Sequence, residues 1–322
     1  MNNLTELETQ TKSKAYYLGV LFIGILAVST ASIFIRFAQA EVPSLVIAAG
    51  RLLISTLVMF PFAYTAWRKK RFTLTGKNLA LLLASGSFLG LHFAAWITSL
   101  ELTTVTSSVV LVTTAPLWVA LFSPLLLKEK LTKQIIIGLV VALCGSIVVS
   151  VSSNYSPTGG QLNCIAVEDF LRGDNAVGNL LAFSGALLSA AYFITGRKVR
   201  GTVDLPIYTF IVYGTASVIL LIMVAISGQK VIGYSPLNYL WILALALIPQ
   251  SIGHTAFNWA LKFLPAAYVS IALLGEPVGT VILAALLLRE APTVLELLGG
   301  LLILAGITIA TQRITAKKRT PA

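Results

Sequence analysis

Apolar stretches of about 20 residues, broken by short polar segments, fill most of this chain. A helix needs roughly 20 mostly apolar residues to cross about 30 Å of hydrocarbon. Ten stretches meet that requirement: Ala15 to Phe37, Ser44 to Ala66, Asn78 to Leu100, Thr103 to Leu127, Lys133 to Ser152, Ala176 to Arg197, Leu205 to Ser227, Leu237 to Leu261, Ala266 to Leu288 and Thr293 to Gln312. Because a helix satisfies its own backbone hydrogen bonds inside lipid, the pattern predicts an all-α integral membrane protein with ten transmembrane helices. What remains is a polar tail over residues 1–14, a polar segment over 153–175 and a basic tail over 313–322.

Composition agrees with that reading. Of 322 residues, 57% are hydrophobic and 11% charged, against about 25% charged in a soluble domain. The net charge of +11 does not point to nucleic acid, since the basic residues sit in short clusters between apolar runs. The two cysteines, Cys144 in an apolar run and Cys164 in a polar loop, form neither a metal cluster nor a disulfide framework. The polar start has no apolar region ending at a small-residue cleavage site, so the first span is expected to stay in the mature protein.

Orientation follows from Lys and Arg, which are retained on the cytoplasmic side of short loops. With the N-terminus inside, most of the 23 basic residues fall on that side; Arg36, Arg172, Lys230 and Arg289 fall outside and Arg51 lies within a span. An even number of spans keeps the last basic cluster inside. The expectation is therefore a multi-pass protein of the cytoplasmic membrane with both termini cytoplasmic and residues 153–175 as an extracytoplasmic linker.

The chain also repeats itself. LLLKEKLT at Leu125 to Thr132 returns as LLLREAPT at Leu286 to Thr293, an offset of about 160 residues. Without a gap the same offset pairs Pro116 with Pro277, Gly138 with Gly299, Gly145 with Gly306, Leu100 with Leu261 and Arg36 with Arg197. Five spans, an odd number, make up each repeat (residues 15–152 and 176–312), so the second lies upside down relative to the first. Inverted repeats of this kind characterise secondary transporters.

The segments LHFAAWITSLELTTVTSSVVLVTTAP (Leu91 to Pro116) and GHTAFNWALKFLPAAYVSIALLGE (Gly253 to Glu276), each leading into the repeated motif, resemble the EamA-type branch of the drug/metabolite transporter superfamily. Pro43 followed by Arg51 fits the same pattern. The resemblance covers essentially the whole chain. It implies two inverted five-helix repeats around a central cavity lined by spans one to four and six to nine, with spans five and ten at the periphery, and export of amino acids, other metabolites or drugs.

Ionisable groups inside a bilayer cost about 2.5–3.5 kcal/mol on insertion scales, so each needs a partner, a wet cavity or a purpose. Arg51 is a candidate counter-charge for a substrate carboxylate, or a structural residue shallow enough to snorkel. Glu276 is a candidate proton or cation carrier, or a helix-pairing group. Pro277 and the aligned Pro116 remove a backbone donor, leaving the carbonyls of Leu273 and Val112 open, either as interrupted helices of a transporter site or as simple packing kinks. Gln250, His254 and Asn258 recur every four residues and so form one polar stripe on a helix, a candidate lining of the solute path or proton relay through His254, or a set of hydrogen bonds to neighbouring helices. His92 and Trp96 share a face of span three, and Trp118 and Tyr268 are further aromatic candidates for the cavity wall; taken alone, each is better explained by lipid or core packing.

No Gly-rich phosphate loop followed by Lys and Ser or Thr occurs, so energy is expected from a gradient, with protons as a candidate coupling ion. Neither a cofactor nor a metal is expected; the partners are a small-molecule solute and the lipid bilayer. No oligomeric state follows from the sequence. An intramembrane enzyme built on His254 and Asn258 lacks paired glutamates or metal-ligand spacing, and a passive channel does not account for the inverted duplication.

Overall fold

The computed structural model describes residues 14–69, 74–152, 173–288 and 292–312. Among these residues ten helices are long and apolar enough to cross a membrane, and no strand occurs. In chain order, spans one to ten are Ala15–Ala38, Ser44–Lys69, Gly76–Leu102, Ser107–Leu127, Lys133–Val151, Gly173–Arg200, Leu205–Ser227, Pro236–Ala260, Ala266–Leu286 and Val294–Thr311. Each coincides with an expected run to within a few residues. The expected basic tail, and Arg172 and Arg289 of the orientation argument, lie outside the described residues, as do residues 1–13 and 153–172 of the expected N-terminal tail and linker.

Contacts between turns define two ends of the bundle. At one, Arg68 and Lys69 finish span two, Lys128 and Lys130 follow span four, and Arg197, Lys198 and Arg200 finish span six. We refer to this as the basic end. At the other end Glu101 Oε1 accepts from Ser44 N at 3.1 Å, Thr103 Oγ1 donates to Asn179 Oδ1 at 2.9 Å, and Glu41 Oε2 accepts from Ser235 N at 3.0 Å. These bonds bring together turns from both halves of the chain.

The two halves are inverted copies, and spans five and ten show the relation most directly. A Cβ placed on Gly138 would sit 2.5 Å from the Gly306 carbonyl oxygen, and one on Gly306 would sit 2.5 Å from that of Gly138. Gly145 and Gly299 meet in the same reciprocal way, at 2.6 and 2.7 Å. Small residues at such positions let helix backbones touch, which is how packing replaces the hydrophobic effect in lipid. The spans also start alike: Thr132 Oγ1 accepts from Ile135 N at 3.3 Å and Thr293 Oγ1 from Glu296 N at 3.2 Å.

Spans four and nine are broken at equivalent points. Span four consists of Val105–Val112 and Ala115–Leu126, joined through Thr113 and Thr114. Span nine consists of Ala266–Leu273 and Glu276–Leu283, followed by a π-helical turn. In both, proline occupies the first turn of the second piece, where its missing N–H costs nothing. The result is a full interruption rather than a kink, with the turn closed by tighter bonds such as Leu274 N to Ile271 O at 3.0 Å.

Candidate functional site

Between the repeats lies a cavity of about 300 Å³, at the lower end of the range for small-molecule sites, about 300–1,000 Å³. Its wall includes Arg51 from span two, His92, Phe93 and Trp96 from span three, Tyr192 from span six and His254 from span eight. Both helix interruptions reach it: Pro116 from span four, and Glu276 and Pro277 from span nine. Away from the basic end the wall continues to Val149 and Ser150 of span five, Thr280 of span nine and Glu296 of span ten.

Arg51 is 1% exposed, so its guanidinium stays within the bundle and the snorkelling expectation is corrected. Its Nε donates to Gln250 Oε1 at 2.9 Å, and its Cζ lies 4.3 Å from the centroid of the Phe93 ring. An aromatic face is a favourable partner for a cation, most of all away from water. His254 meets the same Phe93 ring edge-on at 5.5 Å. Buried donors without an acceptor among the described residues include Arg51 Nη1, Gln250 Nε2 and Trp96 Nε1. An unanswered buried donor costs about 1–3 kcal/mol; of these three residues, Arg51 and Trp96 line the cavity.

Glu276 begins the second piece of span nine. A carboxylate in the first turn of a helix is favoured by the helix dipole by about 0.3–1 kcal/mol. The interruption is pinned against span one: the Ser29 hydroxyl lies 3.0 Å from the Glu276 carbonyl, and Thr280 Oγ1 donates to the Ser29 carbonyl at 3.0 Å. Side chains from a neighbouring helix thus serve polar groups at the break, which permits irregular backbone at membrane depth.

His92 and Trp96 do share a face, with rings stacked 6.0 Å apart. A carbonyl can only accept, so His92 Nδ1 donates its proton to the Gly185 carbonyl at 2.8 Å, tying span three to span six. The polar stripe on span eight, however, is split. Residues Ala246–His254 form a π-helix around Pro249, whose i→i+5 bonding shifts the angular spacing of side chains. His254 reaches the cavity, whereas Gln250 and Asn258 are fully buried outside its wall. Gln250 holds Arg51 from behind. Asn258 Oδ1 accepts from the Tyr192 hydroxyl at 2.6 Å, and its Nδ2 donates to the Tyr213 hydroxyl at 3.3 Å.

Trp118 and Tyr268 are also absent from the wall. Trp118 donates to Thr114 Oγ1 at 3.2 Å and packs edge-on against Phe183 of span six, while Tyr268 is 1% exposed within the core. Two expectations about whole helices change as well. Spans five and ten reach the cavity at their ends, through Ser150 and Glu296, instead of lying wholly at the periphery. Span seven stands behind spans two and three, its Tyr213 buried in the polar layer under Arg51. Phe93 and Tyr192 were not singled out from the sequence, because an aromatic residue in an apolar run carries no local sign of what it faces.

Comparison with known proteins agrees with this architecture. The model of the EamA-like transporter family matches residues 15–151 and again 176–312. A Bacillus subtilis protein named an uncharacterized transporter, YdfC, is 25% identical over 264 residues, covering 81% of this chain and 79% of its own. A Streptantibioticus cattleyicolor protein named a probable terminal-alkyne amino-acid exporter is 27% identical over 216 residues, covering 65% of each. A solved crystal structure shares the fold with a TM-score of 0.75 at 17% identity, covering 93% of this chain and 97% of its own. Two family matches, one for each inverted half, place this chain in the EamA-like transporter family.

Proposed function

We propose that this transporter is a secondary active exporter of amino acids or related small metabolites or drugs, working by alternating access and driven by protons. The observation that carries this reading is the cavity between the repeats, where a buried guanidinium, a carboxylate and aromatic faces converge at two helix interruptions. Broken helices at a repeat interface are how secondary transporters build sites near the bilayer midplane. The relative named as an amino-acid exporter supports the solute class.

By the rule that positive residues stay inside, the basic end faces the cytoplasm of a cell membrane and both termini are cytoplasmic. The cavity wall that runs to Val149, Thr280 and Glu296 then leads toward the exterior. Within the site, Arg51 Nη1 and Trp96 Nε1 offer hydrogen bonds to a solute carboxylate. Glu276 receives a solute ammonium or a proton, and His254 and Phe93 flank the solute body. Gln250 and Asn258 act from behind the wall, fixing Arg51 and Tyr192.

Flux into proteoliposomes tests this. A panel of neutral and zwitterionic amino acids should include solutes that exchange across the membrane, and an imposed pH gradient should drive their accumulation. Flux indifferent to the gradient overturns the proton part, and a preference for strongly anionic solutes overturns the assignment of the site.

A further inference from the structure

We propose that Glu129 and Arg197 are the closure of the basic end, and that parting this pair is the step that exposes the cavity to the cytoplasm. This rests on the alternating-access reading above but assigns a role to residues outside the cavity. Glu129 uses both carboxylate oxygens. Its Oε1 lies 2.6 Å from Arg197 Nε, and its Oε2 accepts from Ala266 N, at the start of span nine, at 2.9 Å. Arg197 Nη1 in turn donates to the Leu261 carbonyl at the end of span eight, at 2.6 Å. One ion pair therefore joins four places: the turn after span four, the end of span six, the end of span eight and the start of span nine. Spans four, six, eight and nine all contribute to the cavity wall.

The backbone indicates that this carboxylate is aimed. Lys128, the residue before Glu129, is at φ +56°, and among the described residues it is the one non-glycine with positive φ. Span four ends there by folding back, with Leu127 N and Glu129 N both bonding to the Ser123 carbonyl, at 2.9 and 3.4 Å. A helix end of this kind ordinarily places glycine at the left-handed position. Strained backbone held by its surroundings is a sign of a functional constraint, and here the strain turns Glu129 back over the mouth between the helices. The pair is not a surface one either: the side chains of Arg197 and Glu129 are 20% and 16% exposed.

The closure is also wired to the site. Three residues beyond Arg197, Arg200 Nε donates to the Asn258 backbone carbonyl at 2.9 Å and its Nη1 donates to the Val203 carbonyl. The side chain of the same Asn258 holds the hydroxyl of Tyr192, which lines the cavity. Span six thus carries a cavity residue and the closing arginine on one rigid helix, so movement at Tyr192 has a direct mechanical route to Arg197.

The test needs no identified solute. In full-length protein with Cys144 and Cys164 replaced by serine, Ser270→Cys places a thiol on the cavity wall in the half of span nine nearer the basic end. A membrane-impermeant maleimide is then applied to oriented vesicles from the cytoplasmic face. With Glu129 and Arg197 intact, labelling should be slow. Glu129→Gln, which keeps the acceptor for Ala266 N, should speed it by about tenfold, and the exchanged pair Glu129→Arg with Arg197→Glu should slow it again. Labelling unchanged in Glu129→Gln overturns the proposal, as does an exchanged pair that elutes as a folded protein yet labels like Glu129→Gln. If the exchanged pair does not fold, Arg197→Lys replaces it: intermediate labelling sustains the proposal, and labelling equal to the intact pair overturns it. A wild-type protein that moves no solute but shows the expected labelling pattern would count against the transport reading and leave the closure standing.

Discussion

The two ends of the bundle hold equivalent residues in unequal arrangements. At the basic end Arg197 bonds to Glu129 and to the Leu261 carbonyl, drawing spans four, six, eight and nine together. At the opposite end the repeat partner of Arg197 is Arg36, which is exposed, and the cavity wall runs up between spans one, four, nine and ten. The partner of Leu261 is Leu100; the partner of Glu129 is Glu290, outside the described residues. Two copies of one five-helix unit thus sit in different surroundings. Spans five and ten, by contrast, meet through reciprocal glycine contacts that leave no room for adjustment. The comparison separates a fixed joint, where the copies are alike, from the ends, where they differ and where a transport cycle must do its work.

The largest effect should come from breaking the fixed joint. Gly306→Leu forces a side chain into the backbone of span five, where a Cβ alone would already lie 2.5 Å from the Gly138 carbonyl. Overpacking typically costs about 1–3 kcal/mol, and a contact between two backbones has least freedom to relax, so loss of about 3 kcal/mol or more is expected. Thermal stability in detergent, read by size exclusion after heating, should collapse. An unaltered melting point would show that spans five and ten are not the rigid element.

Changes within the cavity should leave that joint intact. Arg51→Met removes the guanidinium from above Phe93 and strips Gln250 Oε1 of its donor. Truncating one member of a buried charge-assisted contact costs about 2–5 kcal/mol, so solute affinity in equilibrium binding should fall by about 30-fold or more. Glu276→Gln, which removes the charge that meets a solute ammonium or a proton, should abolish accumulation under a pH gradient. If that variant still accumulates solute, the proton is carried elsewhere.

The smallest effect is at Lys128. Glycine accepts the left-handed backbone that costs an ordinary residue about 1 kcal/mol or more, so Lys128→Gly should stabilise the basic end by about 1 kcal/mol, seen as slower amide hydrogen exchange in the first turn of span nine. Faster exchange there would contradict the assigned strain.

The bundle was legible in the sequence because lipid leaves few options: an apolar run of the right length must be a helix, and the ungapped repeat fixes the inversion. Pro116 and Pro277 stood out because the repeat pairs them, whereas proline alone does not mark a break: Pro61 and Pro124 lie inside continuous helices. The site was legible only in part. Arg51, His92, Trp96, His254 and Glu276 lie on the cavity wall, and they drew notice in the sequence because ionisable and polar groups have few tolerable places in a membrane. Gln250 and Asn258 lie behind the wall; the π-helical segment that carries Gln250 and His254 changes the spacing of side chains, and no simple periodicity signals where it begins. Trp118 and Tyr268 stand off the wall because an aromatic side chain on a cavity helix packs as readily into the core, against Phe183 for Trp118. The ion pair of Glu129 with Arg197 joins residues far apart in the chain, and nothing near either one marks the other.

The central claim is that the inverted repeats expose one cavity to one side at a time. Its most direct measurement is two-sided labelling in cysteine-free protein, with Thr280→Cys read from the exterior and Ser270→Cys read from the cytoplasm in matched vesicles, before and after Glu129→Gln. Reciprocity is the predicted result: exterior labelling of position 280 should fall as cytoplasmic labelling of position 270 rises. Both rising together would describe a continuous pore, and would contradict alternating access for this protein.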